Sequence, residues 1–209
     1  MVARAVTEFH DEQCSNSSPP PWDPAQDLCS ITTTFQYLQT SGWYWGSISV
    51  SDARDALLNK REGTFLIRDS SHPHYMLTLS VQTCCGPTSV RIKYIKGSFW
   101  LDSISPNMPH LQSFPDVLSL VQHYMSLGHA PHGQASTDIH PKTKPDPAKQ
   151  TAKDNGVPLK LMHPLYKLES FPSLQHLTRL NINKHTNCPE QLPLPNPLLR
   201  YLHDYPFHI

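Results

Sequence analysis

Gly63-Thr-Phe-Leu-Ile-Arg-Asp-Ser-Ser71 is the stretch on which the fold turns. Thr64–Arg68 is almost continuously apolar, the pattern of a strand covered on both faces. It ends in a guanidinium, Arg68. A charge at the end of a buried strand needs an anion, because an unpaired buried charge is costly. Asp69, the next residue, is one candidate. The other is an external phosphate, which the planar fork of arginine binds through two parallel hydrogen bonds. Ser70, Ser71 and their backbone N–H groups would complete such a cradle.

Two more strands follow. Tyr75–Val81 alternates, with Tyr75, Leu77, Leu79 and Val81 on one face and Met76, Thr78 and Ser80 on the other. Val90–Ile95 alternates too, with Val90, Ile92 and Tyr94 opposite Arg91 and Lys93. Upstream, Leu28, Ile31, Phe35 and Leu38 recur at helical spacing. Gly42-Trp-Tyr-Trp-Gly-Ser-Ile-Ser49 reads as a strand entry, and Ser51 is placed to cap a helix over Asp52–Lys60. Downstream, Pro115 opens a second amphipathic helix through Tyr124. The expectation is an α+β fold: a central antiparallel sheet with a helix on each side.

The prolines mark the boundaries. There are 21 in 209 residues, against eight glycines. They cluster at 19–24, 131–147 and 189–197, with only Pro73 and Pro87 between 25 and 105. Proline breaks element interiors, so the sparse region should hold the core. This predicts a disordered leader over 1–27, a folded domain over 28–127, a flexible proline-rich linker over 128–157 and a small module over 158–209. A module of about 50 residues is marginal alone, so it should need a partner or pack on the first domain.

Charge and cysteines bound the function. Seventeen basic and 17 acidic side chains cancel, which speaks against a surface built for nucleic acid. No stretch approaches a membrane span, and Met1–His10 lacks the apolar core of a secretory signal, so neither export nor direct membrane insertion is expected. Five cysteines without a C-x-x-C pair, two of them adjacent at 84 and 85, read as free thiols in a reducing, cytoplasmic setting. The 13 histidines lack ligand spacing, so no metal and no cofactor are expected. No nucleophile or phosphate-loop motif suggests an enzyme.

In the last module Ser173 can cap a helix running to Ile182, with Leu174, Leu177 and Leu180 on its apolar faces. Leu192-Pro-Leu-Pro195 reads as extended and polyproline-like, and Pro197–Tyr205 as a final helix ended by Pro206. Three readings stay open here: a bundle packed on the first domain, an SH3 ligand at Leu192–Pro195, and a helix laid in a partner's groove.

The motifs Gly42–Ile48, Gly63–Ser71, Tyr75–Val81 and Phe114–Met125, in this order, resemble an SH2 domain. The resemblance implies that Arg68 is the phosphotyrosine arginine, with Ser70 and Ser71 in the phosphate loop and Thr78 and Arg91 as further contacts. Two positions depart from the common pattern: Val50 stands where many SH2 domains have an arginine, and Ile92 where many have a histidine. Specificity beyond the phosphotyrosine is expected around Phe99–Asp102 and Met108–Phe114.

An SH2 domain followed by this tail resembles the suppressor of cytokine signalling family, and the Tyr205-Pro-Phe207 ending and long linker resemble one branch of it. The segment 172–182 is similar to the elongin-binding box of an all-α SOCS box, which implies Leu174, Leu177, Thr178 and Ile182 as elongin contacts. Thr178 replaces the usual cysteine. Leu192, Pro193, Leu194 and Pro195 match the cullin box. The resemblance implies tyrosine-phosphorylated cytokine receptors as targets. It further implies recruitment of elongin B/C and a cullin-5 type scaffold with its RING protein, in negative feedback on Janus kinase–STAT signalling. The alternative is an adaptor that blocks STAT docking without ubiquitination.

Overall fold

The structure, a computed structural model, describes residues 23–102, 112–128 and 159–209. The expected leader up to residue 22, the linker over 129–157 and Met108–Leu111 lie outside these residues.

Helix α1 (Pro24–Ser41) begins earlier than the apolar spacing suggests. The Asp23 side chain accepts a hydrogen bond from Ala25 N, and Pro24 supplies the fixed φ of a first helical turn. Residues 24–27 therefore belong to the fold rather than to a leader. Helix α2 (Val50–Leu57) is capped by Ser49, not Ser51: Ser49 Oγ accepts from Asp52 N at 3.0 Å, and Ser51 Oγ lies 2.8 Å from Ser49 Oγ. It ends three residues before Lys60.

The sheet holds β1 (Thr64–Asp69), β2 (Leu77–Thr83), β3 (Gly86–Ile95), β4 (Ser98–Leu101) and β5 (His163–Pro164), in the order β4-β3-β2-β1-β5. Neighbours are antiparallel except β5, which runs parallel to β1. The Trp43–Gly46 segment adds only an isolated bridge, Tyr44 to Ile67, along the same edge of β1. Strand β2 starts at Leu77, so Tyr75 is not on the Leu77 face. It sits in the turn before the strand, where its N–H donates to His72 O at 3.1 Å.

Residues Phe99–Asp102, expected as a groove-forming loop, instead supply most of β4. Phe99 and Leu101 alternate into the core, which removes them from any exposed specificity surface. Helix α3 (Val117–Gly128) is capped by Asp116, whose carboxylate accepts from Ser119 N at 2.7 Å, so Pro115 lies before the cap rather than in the first turn.

The two faces of the sheet are covered differently. On one, Ala53 and Leu57 of α2 pack on Leu66. On the other, Phe65, Ile67, Leu77, Leu79, Val81 and Ile92 meet Leu38 of α1 and Val117, Leu118, Leu120 and Val121 of α3. That second core also takes in Leu161, Leu180, Tyr205, Phe207 and Ile209 from the last module. Of the three readings of the tail, packing on the first domain is what the fold adopts.

Two glycines permit this close approach. At Gly63 (φ +81°) a Cβ would stand 2.5 Å from Met162 Cγ. At Gly42 (φ +79°), the left-handed end of α1, it would stand 2.9 Å from Ser170 O and Pro172 Cγ.

Helix α4 (Leu174–His185) is capped by Ser173 as its sequence predicts, through Ser173 Oγ accepting from His176 N at 3.2 Å. Helix α5 (Asn196–His203) packs beside it. The tetrad before α5 is not a regular extended segment. Leu194 N donates to Leu192 O at 2.7 Å, which folds Pro193 into a tight turn, and Leu192 and Leu194 are half-buried rather than exposed. An SH3 ligand needs this stretch free and extended, so that reading is not supported.

Arg179 fixes α4 to α5 without a carboxylate. Its guanidinium lies 4.1 Å from the centre of the Tyr201 ring and 4.9 Å from that of Tyr205, donates to Tyr201 O at 3.0 Å, and sits 2.7 Å from His176 Nδ1. Burial and the Arg179 charge push the His176 imidazole down to about 4. The unfolded chain, with an ordinary imidazole near 6.5, takes up this proton first. Stability is therefore undiminished above pH 6.5 and falls as the pH drops from about 6.5 to about 4, by roughly 3 kcal/mol in all. Urea melts across that range should show this slope in the wild type, and a His176→Gln variant should lose that part of it.

Candidate phosphotyrosine site and α4–α5 groove

Arg68 is 3% exposed and sits at the end of β1. The register places Arg68 opposite Thr78 of β2, and Thr78 opposite Arg91 of β3. Directly paired residues of antiparallel strands point to the same face, so these three side chains form a row across three strands. It is the face on which Leu66 meets α2.

The guanidinium of Arg68 donates from Nη1 to Asp69 O at 2.9 Å, while Nε has no partner among the described residues. Burial pushes its pKa down from the ordinary arginine value. The Asp69 carboxylate is engaged elsewhere: it follows Arg68 on the strand, points to the other face and accepts from the Tyr44 hydroxyl. No carboxylate pairs with Arg68 among the described residues. The choice left open by the sequence thus goes against Asp69.

The loop expected to hold phosphate begins directly after β1. Ser70 N donates to Met76 O at 2.9 Å, and Ser70 Oγ accepts from His72 N at 3.1 Å. Ser71 is exposed beside it. Val50, the first residue of α2, is half-exposed and brings no charge. Ile92 is not a lost histidine contact: it is 2% exposed in the core of the opposite face. The residue that faces the row from β3 is Arg91, placed there by its pairing with Thr78.

Sequence reasoning missed a cluster beside this row. Lys93, two residues beyond Arg91, pairs with Asp102 at 2.6 Å, and the Tyr75 hydroxyl donates to the other Asp102 oxygen at 2.7 Å. The Lys93 ammonium, with the Tyr75 hydroxyl second, holds the Asp102 carboxyl below its ordinary range. The signal that could have found Lys93 was its place on the polar face with Arg91. Asp102 and Tyr75 carry no such periodic signal.

The second candidate surface is a groove of about 400 Å³ between α4 and α5. Leu174, Thr178 and Ile182, one helical turn apart, line one wall, and Leu198, Tyr201 and Leu202 the other. Leu174 is 81% exposed. Leu177 is not with them. It packs against the main core, on the side of the helix that carries Leu180, so of the four expected elongin contacts three share a surface and one does not. The Thr178 hydroxyl donates to Leu174 O at 2.8 Å, which satisfies it within the helix. Leu194 reaches the same groove, and Leu192, Pro193 and Leu194 line a neighbouring cleft with Ile182 and His185. Pro195 is exposed and precedes the first turn of α5.

The chain matches two family models: the SH2 domain over residues 43–124 and the SOCS box over residues 170–203. It is 46% identical to the cytokine-inducible SH2-containing protein of Gallus gallus over 96% of this chain and 80% of that one. It is 43% identical to suppressor of cytokine signaling 2 of Homo sapiens over 90% of this chain and 86% of that one. Among solved structures, the SH2 domain of a Monosiga brevicollis CRK/CRKL homolog aligns over 41% of this chain and 74% of that chain, at 32% identity and a TM-score of 0.34.

Proposed function

The chain belongs to the suppressor of cytokine signalling family, negative regulators of cytokine signalling that carry an SH2 domain and a SOCS box, and from that premise we propose that it is the substrate receptor of an elongin–cullin–RING ubiquitin ligase. Its SH2 domain takes phosphotyrosine on activated cytokine receptors, and its α4–α5 groove takes elongin C. The observation that carries the first half is the row Arg68–Thr78–Arg91 on one face, with a buried guanidinium that no carboxylate among the described residues neutralises. Ser70 and Ser71 follow it in the loop after β1.

The second half is supported by Leu174, Thr178 and Ile182 sharing one apolar groove. Thr178 fits a partner's apolar surface because its hydroxyl is already satisfied by Leu174 O and brings no unpaired donor. That favours the ligase reading over an adaptor that only blocks STAT docking. Leu192, Pro193, Leu194 and Pro195, beside the groove, are the place for a cullin-5 type scaffold. The chain itself transfers nothing. It raises the effective concentration of the ubiquitin-charged enzyme at the bound receptor. No helix among the described residues is long and apolar enough to cross a membrane, and we place the protein in the cytoplasm, where phosphorylated receptor tails and elongin meet.

Co-expression with elongin B/C tests this. The wild-type chain should co-purify with the pair. Leu174→Ala should weaken capture about tenfold or more, since a leucine anchor buried at an interface contributes roughly 1.5–3 kcal/mol. Leu177→Ala should instead lower the melting temperature. A wild-type chain that captures no elongin leaves the blocking adaptor as the function.

A further inference from the structure

The phosphate row contains one buried cation and one exposed one. Arg68 is held by its strand, whereas Arg91 is exposed and carries several freely rotating bonds that binding must freeze. Helix α2 offers no cation at its start, where Val50 stands. What constrains Arg91 is Tyr75. Its ring centre lies 5.3 Å from the Arg91 guanidinium carbon.

The residue is held by two neighbours, Asp102 and His72. The Tyr75 hydroxyl donates to Asp102 at 2.7 Å, at the end of β4. The His72 ring meets it edge-on at 5.1 Å, and Tyr75 N donates to His72 O at 3.1 Å. His72 N in turn donates to Ser70 Oγ, so the same residue reaches the phosphate loop. Asp102 does not pair with Arg91: it is held by Lys93 at 2.6 Å and by the tyrosine hydroxyl. An aromatic ring restrains a guanidinium through its flat face and leaves its N–H edge free, whereas a carboxylate would consume the donors a phosphate needs.

We propose that Tyr75 is a positioning residue of the phosphotyrosine site, holding Arg91 through its ring so that the guanidinium edge is free to meet phosphate beside Arg68. The Asp102–Lys93 pair anchors the ring and keeps the local carboxylate away from Arg91. This rests on the phosphotyrosine reading of the row.

The test is a double-mutant cycle on the full chain, binding a peptide pool with a fixed central phosphotyrosine and randomised flanks, with the unphosphorylated pool as control. Tyr75→Leu should weaken binding of the phosphorylated pool roughly two- to fivefold, the worth of an exposed cation–π contact. It should cost nothing further in an Arg91→Ala background. Tyr75→Phe, which keeps the ring and loses the Asp102 anchor, should fall between wild type and Tyr75→Leu, and its own cycle with Arg91→Ala gives the same reading if Tyr75→Leu does not fold. Equal losses with and without Arg91 would mean that Tyr75 only supports the turn, and overturn the proposal, as would no loss in either variant. A wild-type chain that does not distinguish the two pools would bring down the phosphotyrosine reading itself, and the role of Tyr75 with it. That outcome is separate from an additive cycle.

Discussion

Replacing Arg68 by lysine should reduce phosphotyrosine binding by a factor of about 30 to 1,000, while the protein stays folded. An ammonium presents one compact charge and cannot make the two parallel hydrogen bonds of a guanidinium to phosphate. Each charge-assisted bond is worth about 1.5–3 kcal/mol, so losing the paired geometry costs roughly 2–4 kcal/mol. The fold should survive because, among the described residues, Arg68 makes no ion pair that the lysine would break and donates to the neighbouring Asp69 O alone. Its strand is held by the pairing of β1 with β2 and by Phe65, Leu66 and Ile67 in the two cores. Titration with a phosphotyrosine peptide pool, alongside a thermal melt, checks both parts. A folded Arg68→Lys protein that binds at wild-type strength would remove Arg68 from the site.

Tyr205→Ala should destabilise the whole protein, not its last module alone. Tyr205 is 1% exposed, its hydroxyl donates to Ile209 O at 2.7 Å, and its ring meets Tyr37 of α1, His176, Phe207 and Arg179. Removing a buried aromatic of this kind costs about 3–5 kcal/mol, which for a protein of this size lowers the melting temperature on the order of 10 °C. Because Leu180, Phe207 and Ile209 share one core with Leu38 and Val117, the SH2 sheet and the SOCS helices should melt together, in the wild type and in the variant. Calorimetry decides it: two separate transitions, with the SH2 transition unmoved by the substitution, would show that the shared core does not couple the modules.

The two variants separate what local sequence carries from what it does not. Arg68 was legible because an apolar run that ends in a guanidinium is an electrostatic problem visible within nine residues. The Ser173 cap and the Leu174–Ile182 helical face were legible because capping and periodicity act within a few turns. Ser49 in place of Ser51, and Asp116 in place of a Pro115 start, are one- to three-residue shifts of the same local signals. Two suitable capping side chains stood side by side, and only the turn of the backbone selects between them.

Other assignments needed the fold. Periodicity put Arg91 and Ile92 on opposite faces, but which of them shares a face with Arg68 depends on register: the hairpin from Thr83 to Gly86 sets Arg91 opposite Thr78, and the pairing of β2 with β1 sets Thr78 opposite Arg68. The same holds for Leu174 and Leu177, both apolar and three residues apart. One faces a groove and the other the core, because that core is gathered from both modules, from Leu38 to Ile209.

The sequence by itself determined the local chemistry: an apolar strand ending in an arginine that needs an anion, the Ser173-capped helix with its apolar face, and the resemblance, in order, to an SH2 domain and a SOCS box. Tertiary structure alone decided that Asp69 belongs to Tyr44 rather than to Arg68, that Tyr75 attends Arg91, and that residues 161–164 and 205–209 complete the core and sheet of the first domain. The reason is physical. Propensity, capping and alternation are set by neighbours in the chain, whereas the partner of a buried side chain is set by which distant surfaces exclude water together.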